Sequence, residues 1–290
     1  MAEKRNKDTV DIDKLGTTEI IDKINDEDKK VALAVEKEQE NIAKAVDLIV
    51  KRLKKDGRLF YIGSGTSGKL GVIDASECPP SFGIDDSMVQ GIISGGDKAL
   101  SDWLEHTEDD EELASKDLQD KGVTEKDIVV GITASGNTPY VMAAIKYANQ
   151  IGATTIGLIC NPEGKLKENC DNYICIDVGP EVIMGSTRMK AGTAQKMVLN
   201  MLSTASMIRL GKVYSNLMIN VKPINEKLKK RAKEIVHLVT KADESLITEV
   251  LKKCDYDAKV ATVMIKKKCS VIEARDFISK NDGVINQFVL

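Results

Sequence analysis

Short apolar runs alternate with helical stretches along the middle of the chain. Five runs are rich in Val and Ile and short enough for buried parallel strands: Arg58–Ile62, Met88–Ile93, Asp127–Thr133, Thr154–Cys160 and Tyr173–Val178. A long helix is predicted at about 188–210, and shorter helical stretches separate most of the strands, at about 66–76, 98–121, 138–150 and 163–169. This rhythm predicts an α/β fold, a three-layer α/β/α sandwich with a mostly parallel five-stranded sheet.

The two ends of the chain lack strand-like runs. Residues 1–25 are polar, and residues 26–56 are predicted as one long amphipathic helix that ends at Gly57. Beyond about residue 224 Lys and Glu are dense, and the pattern predicts three short helices near 243–253, 256–267 and 270–280. We therefore expect an N-terminal segment with a long helix, an α/β domain and a small helical module, at 1–55, 56–223 and 224–290.

Composition narrows the class of protein. The chain has 290 residues, of which 42% are apolar, enough for a full core. A net charge of −3 argues against a nucleic-acid partner, and no apolar run is long enough for a membrane span. The N-terminus lacks the apolar region of a signal peptide, so a cytoplasmic protein is expected. The six cysteines and two histidines show no metal-ligand spacing, which predicts neither a zinc site nor a disulfide framework.

Two similar loops follow predicted strands directly. Gly63–Gly68 and Ala134–Thr138 both contain Ser-Gly-x-Ser/Thr between a strand and a helix. Ligands of open α/β sheets bind at the carboxyl ends of strands, and helix N-termini favour anions. The pair predicts a shared site for a phosphorylated sugar, with the candidate residues Ser64, Gly65, Thr66, Ser67, Ser135, Gly136, Asn137 and Thr138.

The first loop also fits the dinucleotide fingerprint Gly-x-Gly-x-x-Gly. Three features oppose that interpretation. The next helix is expected to break at Glu77-Cys78-Pro79-Pro80, the next strand ends without an acidic residue for a ribose, and the second loop has no part in the fingerprint. A Walker A loop is excluded because no Gly-Lys-Ser/Thr follows.

A third segment, Gly179–Lys196, combines hydroxyls, cations and a helix start. A plain helix start needs one capping hydroxyl, whereas this segment offers several beside positive charge. Donors and charge at a helix terminus suit an anionic, polyhydroxylated ligand, although an over-capped helix would look the same. The candidate residues here are Ser186, Thr187, Arg188 and Lys190, whereas Glu181 is equally consistent with a structural role.

Three segments together resemble the N-acetylmuramic acid 6-phosphate etherases, namely Gly63–Gly68, Asp74–Gly83 and Gly179–Lys196. This family belongs to the sugar isomerase (SIS) superfamily and is related to the glucokinase regulatory protein. The resemblance covers nearly the whole chain, since 24–28 resembles the family's entry segment and the C-terminal helices its ubiquitin-associated-like module. It implies an SIS fold, a homodimer with the site near the interface, and neither a metal nor another cofactor.

The resemblance also implies a reaction, in which the ether between D-lactate and C3 of N-acetylmuramate 6-phosphate is cleaved. Ring opening makes the proton on C2 acidic, a base removes it, an acid protonates the departing lactate, and water adds. Each proton needs a positioned group. The family's acidic catalytic residue falls on Glu77 of Ser-Glu-Cys-Pro-Pro, the expected proton donor to lactate. The family's second catalytic glutamate falls on Glu108, and Glu105 and Glu111 are the alternatives. Just before Glu108 this chain has Thr107, where the family more often has a small residue. Which carboxylate takes the C2 proton stays open.

Two other functions remain possible from sequence. One is a non-catalytic sugar-phosphate sensor of the glucokinase regulatory protein type, which is normally longer and has two sugar isomerase domains. The other is an aldose–ketose isomerase, which would not need the Glu-Cys-Pro-Pro segment. Retention of Glu77 and Glu108 favours catalysis.

Overall fold

The predicted strands form one parallel sheet. The computed structural model of the protein describes residues 4–102, 105–221, 223 and 225–285, without the side chains of residues 105 and 106. Among these residues the sheet has five strands in the order β2-β1-β3-β4-β5, and every neighbouring pair is parallel. The strands are β1 (Leu59–Gly63), β2 (Val89–Ile93), β3 (Ile128–Thr133), β4 (Thr154–Ile159) and β5 (Asn172–Cys175).

The described chain divides into two compact units. The first consists of Met1–Ser76 and Ser87–Ser203 and contains the whole sheet, and the second consists of Glu77–Asp86 and Thr204–Leu290. The helices that begin in the first unit are α1 (Thr17–Glu36), α2 (Gln39–Leu53), α3 (Gly65–Phe82), α4 (Lys98–Ser101), α5 (Glu111–Asp120), α6 (Pro139–Gln150) and α7 (Lys190–Arg209). Those of the second unit are α8 (Glu226–Thr240), α9 (Glu244–Lys253), α10 (Ala258–Lys267) and α11 (Val271–Lys280).

Helices cover both faces of the sheet, which confirms the predicted three layers. Successive strand residues point to opposite faces. Gly131 faces α6, where an added Cβ would lie 2.9 Å from side-chain atoms of Val141 and Ile145. On the other face, a Cβ on Gly71 of α3 would lie 3.0 Å from Tyr61 and 3.1 Å from Ile132. Close approach of helix and sheet therefore depends on small residues on both sides.

The strand order fixes where a ligand can bind. The chain runs from β1 outward to β2 and then returns across β1 to β3, so the direction of winding reverses between β1 and β3. In open α/β sheets the ligand crevice lies at this reversal, outside the carboxyl ends of the strands. Gly63 pairs in register with Ile132, so the loops that follow β1 and β3 lie side by side.

The long helix predicted over 26–56 is wrong in two respects. A helix begins earlier, at Thr17, where the Glu19 carboxylate accepts a hydrogen bond of 2.9 Å from the Gly16 amide. The helical segment is also divided between Glu36 and Gln39. At the break Glu38 accepts hydrogen bonds from Asn41 (2.8 Å) and from the Cys175 amide of β5 (3.4 Å). A contact with a distant strand marks the break, and hydrophobic periodicity does not reveal such a contact.

The predicted helix 98–121 is likewise wrong, because the described residues there form α4, a 3₁₀ segment (Glu105–Asp109) and α5. Asp110 separates the last two by accepting a hydrogen bond of 2.9 Å from the Leu113 amide as the N-cap of α5. The stretch at 163–169 is also a 3₁₀ segment, Lys165–Asn169, and the last strand ends at Cys175 instead of Val178.

The expected break at Glu77-Cys78-Pro79-Pro80 does not occur. Helix α3 runs to Phe82 with both prolines inside it. Proline has a helical φ, but inside a helix it removes a hydrogen bond and crowds the carbonyl four residues earlier, so the helix ends within one turn of the pair. Gly83 then ends the helix at φ +61°, and Asn220 donates to the Phe82 carbonyl at 2.6 Å. One argument against the dinucleotide fingerprint therefore fails, while the two that rest on the next strand and the second loop remain.

The second unit is helical as predicted, with one more helix, α8, before the three short ones. Its core includes α10, where Val260, Ala261 and Val263 are at most 3% exposed. Asn225 and Asp257 cap α8 and α10 through hydrogen bonds from backbone amides. The likeness of this unit to a ubiquitin-associated module stays a prediction.

Candidate active site

A polar cavity of about 310 Å³ opens at the carboxyl ends of β1 and β3 in the first unit. The described residues that line it are Ser64, Gly65, Thr66, Ser67, Glu108, Ile132, Thr133, Ala134, Ser135, Thr138, Gly185 and Thr187. Both Ser-Gly-x-Ser/Thr loops therefore meet there, as expected from the strand order. Among these lining residues Glu108 is the only charged one, so hydroxyls and backbone groups dominate the surface.

The first loop supplies the N-terminus of α3. The first amides of a helix have no partner within it and carry a partial positive charge, which suits a phosphate. The Ser64 hydroxyl is buried and has no hydrogen-bond partner among the described residues. Ser67 is held instead, because its hydroxyl donates to Gln195 Oε1 at 3.0 Å. An unmatched buried hydroxyl beside open amides indicates a place for a ligand oxygen.

Three hydroxyls cluster at the second loop. Thr133 Oγ1 lies 2.7 Å from Thr138 Oγ1 and 3.2 Å from Ser135 Oγ, and the Gly136 amide donates to Thr133 Oγ1 at 3.3 Å. Asn137 accepts from the Lys165 amide at 3.1 Å and thereby ties the loop to the 3₁₀ segment beyond β4. Thr133, Ser135 and Thr138 line the cavity, whereas Gly136 and Asn137 are absent from its lining and shape the loop behind it.

The two candidate catalytic carboxylates lie in different units. Glu108 is exposed on the 3₁₀ segment Glu105–Asp109 and lines the cavity. Of the alternatives, Glu111 begins α5, and the side chain of Glu105 lies outside the described part of the chain. Glu77 is exposed in the part of α3 that belongs to the second unit. Its catalytic role stays a prediction.

The segment before α7 is organised by a buried carboxylate. Glu181 is fully buried and accepts hydrogen bonds from the amides of Lys190 (3.0 Å) and Ala191 (2.9 Å). It therefore satisfies the first two amides of α7 and occupies the positive end of that helix. Glu181, whose role the sequence leaves open between structure and ligand binding, has a structural role here.

Lys190 is held away from the cavity. It is 1% exposed, and its Nζ lies 2.5 Å from Glu27 Oε2 of α1, while Lys30 binds the other oxygen of Glu27. Burial acts to raise the pKa of Glu27, but hydrogen bonds from Lys190 and Lys30 outweigh it and lower that pKa. Of the neighbouring candidates, Thr187 lines the cavity, whereas Ser186 is half-buried and Arg188 exposed, both outside its lining.

A second buried carboxylate joins α3 to α7. Asp74 Oδ1 accepts hydrogen bonds from Asn200 (2.6 Å) and Ser203 (3.2 Å). Burial raises the pKa of Asp74, although these bonds and a further one from Tyr61 oppose the shift. The bonds fix α3 against its neighbours one turn before its exposed Glu77.

The sequence did not single out several residues at the site, among them Thr133, Gly185 and Gln195. Thr133 was assigned to the end of a strand, Gly185 to a turn and Gln195 to the body of a helix, although Thr133 and Gly185 line the cavity and Gln195 holds Ser67. Thr133 directly precedes Ala-Ser-Gly, so a hydroxyl at the strand end was a usable signal. Gln195 gives no such signal, because its contact comes from a helix 128 residues away in sequence.

The described residues contain neither a candidate metal cluster nor a helix that could span a membrane. No group of three or more His, Cys, Asp or Glu residues is placed to hold a metal ion there. No helix in the described ranges is both long and apolar enough to cross a membrane.

Solved structures and family matches agree on the fold. Residues 41–149 match the glucokinase regulatory protein N-terminal SIS domain, and residues 101–205 match the SIS domain. A ligand-bound protein from E. coli CFT073 has a TM-score of 0.50 at 20% identity, covering 70% of this chain and 97% of that one. A phosphoheptose isomerase from Francisella tularensis also has a TM-score of 0.50, at 17% identity, covering 67% and 100%. The predicted SIS fold is confirmed.

Two curated relatives match over nearly the full length. The N-acetylmuramic acid 6-phosphate etherase of Caldanaerobacter subterraneus subsp. tengcongensis is 53% identical, over 100% of this chain and 94% of its own. The protein of the same name from Clostridioides difficile is 50% identical, over 99% of this chain and 94% of its own. A match of this extent spans both units and the positions of both candidate carboxylates, and it places this chain in the family of N-acetylmuramic acid 6-phosphate etherases.

Proposed function

We propose that this protein cleaves the D-lactyl ether of N-acetylmuramic acid 6-phosphate and releases N-acetylglucosamine 6-phosphate and D-lactate. The observation that carries the proposal is 53% identity to an etherase over the whole chain. The cavity supports it, since a sugar phosphate needs many donors and acceptors, and hydroxyls from both loops surround the space. An open helix N-terminus beside them suits the phosphate.

The reaction requires two proton transfers. In the open-chain sugar the C1 aldehyde makes the C2 proton acidic, so a base can remove it. The electron pair forms a C2–C3 double bond while the C3–O bond breaks, and an acid supplies the proton to the departing lactate oxygen. Water then adds a hydroxyl to C3 and a proton to C2, so one water is consumed overall. Each transfer needs a carboxyl or carboxylate within hydrogen-bond reach of its proton.

The residues divide by role. We assign Glu77 to the protonation of lactate and Glu108 as the second acid–base group. The phosphate and sugar hydroxyls bind the cavity residues Ser64, Gly65, Thr66, Ser67, Thr133, Ser135, Thr138 and Thr187. Gly136 and Asn137 support the second loop from behind, and Ser186 and Arg188 remain candidates for the lactyl carboxylate. Lys190 is removed from the ligand set because Glu27 neutralises it in a buried pair.

The proposed setting is the cytoplasm, where the enzyme acts as a homodimer on a phosphorylated sugar. The chemistry itself requires neither the compartment nor the dimer. The dimer is proposed because the family resemblance implies it, and the cytoplasm is the compartment expected from the sequence.

The test is release of D-lactate from N-acetylmuramic acid 6-phosphate in ¹⁸O-labelled water, without added metal or nucleotide. The expected result is lactate together with ¹⁸O at C3 of the sugar product, which elimination and water addition require. Saturable binding of the sugar phosphate without lactate would contradict the proposal and favour a sensor, consistent with the match to a regulatory-protein domain. Isomerisation without lactate would favour the isomerase.

Variants assign the carboxylates. Glu77→Ala and Glu108→Gln should each lower kcat by about 10²-fold or more, the scale of general acid–base catalysis, while product binding is retained. Glu112→Gln is the matched control, because Glu112 is exposed four residues from Glu108 and outside the cavity lining. Near-normal lactate release by either variant would remove that residue from the mechanism.

A further inference from the structure

The segment that carries Glu108 has little regular structure of its own to hold it. It is a 3₁₀ turn of five residues, Glu105–Asp109, and 3₁₀ turns have poorer hydrogen-bond geometry than α-helices. Glu108 itself is exposed at the cavity. A carboxylate that must meet a particular proton needs a firmer support than such a turn provides.

One such support comes from the residue adjacent to Glu108. Thr107 is buried, and its Oγ1 donates a hydrogen bond of 3.0 Å to Ser94 Oγ, which is 2% exposed. Ser94 directly follows β2, and its amide donates to the Gly63 carbonyl at 3.1 Å. Gly63 is the last residue of β1 and directly precedes Ser64 of the cavity lining. One chain of hydrogen bonds thus connects the Glu108 segment to the first ligand loop.

We propose that Thr107, through Ser94, is the positioning residue of this site, which fixes the distance between the Glu108 carboxylate and the sugar phosphate held by the first loop. The inference rests on the acid–base role given to Glu108 in the proposed function. Both residues are buried, so water competes little for the hydrogen bond between them. A misplacement of about 1 Å costs a catalytic group up to 10²-fold in rate.

The Thr107–Ser94 hydrogen bond lies outside the cavity lining, so its effect on catalysis can be distinguished from an effect on substrate binding. Neither Thr107 nor Ser94 lines the cavity. Loss of the bond should therefore leave substrate affinity intact and reduce only the proton transfer. A residue with a merely structural role would lower stability without this separation of kcat from KM.

The experiment measures D-lactate release by the full chain carrying Thr107→Val, Ser94→Ala, both changes together, or Thr107→Ser. Valine keeps the shape of threonine and removes the donor. We expect each of the first two to lower kcat about fivefold, the rate equivalent of ~1 kcal/mol, with KM within about twofold of wild type. The double variant should be no slower than either single variant, because both substitutions remove the same hydrogen bond. Thr107→Ser keeps a hydroxyl, so its kcat should stay near that of wild type.

Thr155→Val is the matched control. Thr155 is fully buried and donates a side-chain hydrogen bond of 2.9 Å to Asn149, but it lies near the start of β4, away from the carboxyl ends of the strands. It should lower the thermal midpoint and leave kcat unchanged. If Thr155→Val slows lactate release as much as Thr107→Val does, the effect is one of general stability and the inference fails.

Failure of the inference differs from failure of the proposed function. Wild-type kcat in Thr107→Val alongside a severely impaired Glu108→Gln overturns the inference alone. Wild-type kcat in Glu108→Gln removes the role of Glu108 and, with it, the inference. The inference is also overturned if Thr107→Ser lowers kcat as much as Thr107→Val does, or if Thr107→Val raises KM by the same factor as it lowers kcat.

Discussion

The buried ion pair between Glu27 and Lys190 should be among the most sensitive points of the first unit. Substitution of Glu27 by Gln removes the carboxylate and keeps the size of the side chain. The Lys190 ammonium is then left 1% exposed without a counter-charge. Its amide is still held by Glu181 at 3.0 Å, so the residue cannot easily turn towards water.

The magnitude follows from the burial of both partners. Removing one partner of a buried pair typically costs 3–5 kcal/mol, because an uncompensated charge stays in the interior. Lys30 also binds Glu27, but its side chain is 52% exposed, and such a pair contributes at most about 1 kcal/mol. We therefore expect Glu27→Gln to lower the free energy of unfolding by roughly 3–5 kcal/mol, a large part of the ~5–15 kcal/mol of a typical domain.

The assay is urea unfolding of wild type, Glu27→Gln and the double variant Glu27→Leu with Lys190→Met, which carries neither charge. The double variant should recover most of the lost unfolding free energy, because apolar replacement of a buried ion pair is often neutral or stabilising. Glu226→Gln is the control, since Glu226 and Lys229 form an exposed pair, and it should leave the midpoint unchanged. A loss below about 1 kcal/mol in Glu27→Gln would refute the argument that Lys190 depends on this carboxylate.

The same pair predicts a dependence on pH. The pKa of Glu27 lies below its ordinary value of 4.5 in the folded protein, because the hydrogen bonds from the two lysines outweigh burial. The folded state therefore binds this proton less readily than the unfolded state, and stability rises with pH in this range. The contribution is complete above about pH 5 and is lost as the pH falls through the folded pKa. Glu27→Gln should flatten this part of the acid unfolding curve.

Two further variants probe other contacts. Gly83→Ala should lower the free energy of unfolding by at least ~2 kcal/mol in urea, because φ is +61° and a Cβ would lie 1.8 Å from the Asn220 carbonyl oxygen. Gly122→Ala is the control, because Gly122 also has a positive φ (+59°) but a Cβ there would have no atom within 4 Å. Equal losses in the two variants would contradict a role for the clash. Gln195→Met should raise KM about fivefold with little change in kcat, because the Ser67 hydroxyl loses its acceptor. Thr193→Val, an exposed neighbour on α7, should change neither constant, and an unchanged KM in Gln195→Met would show that Ser67 needs no support.

The fold was predictable where burial alone sets the pattern. The strands β1, β3 and β4 are buried at every position, so they appear as unbroken apolar runs, and the sheet and its layers follow from them. Helix ends were less predictable. The break before α2 coincides with a hydrogen bond from the Cys175 amide to Glu38, and α3 continues through Pro79 and Pro80 to Phe82, whose carbonyl accepts a hydrogen bond from Asn220. Neither effect is visible in hydrophobic periodicity.

The cavity lining was predictable in its hydroxyls but not in its charges. Ser64, Ser135 and Thr138 were predicted because they follow strand ends, and the strand order brings such positions together at the cavity. The sequence also places Lys190 beside these hydroxyls, where a cation looks suited to phosphate. Burial decides otherwise, since Glu27 lies 163 residues away in the chain and reaches Lys190 only through the fold.

The two helix starts near the cavity differ in how well they could accept an anion. Both α3 and α7 begin near the cavity, and each offers the positive end of a helix. At α7 the Glu181 carboxylate already accepts from the first two amides, so a second anion there would meet a buried negative charge. At α3 the preceding Ser64 hydroxyl is buried and unmatched, and Ser67 is held at the cavity wall by Gln195. We therefore propose that the anion binds at the start of α3 and not at the start of α7.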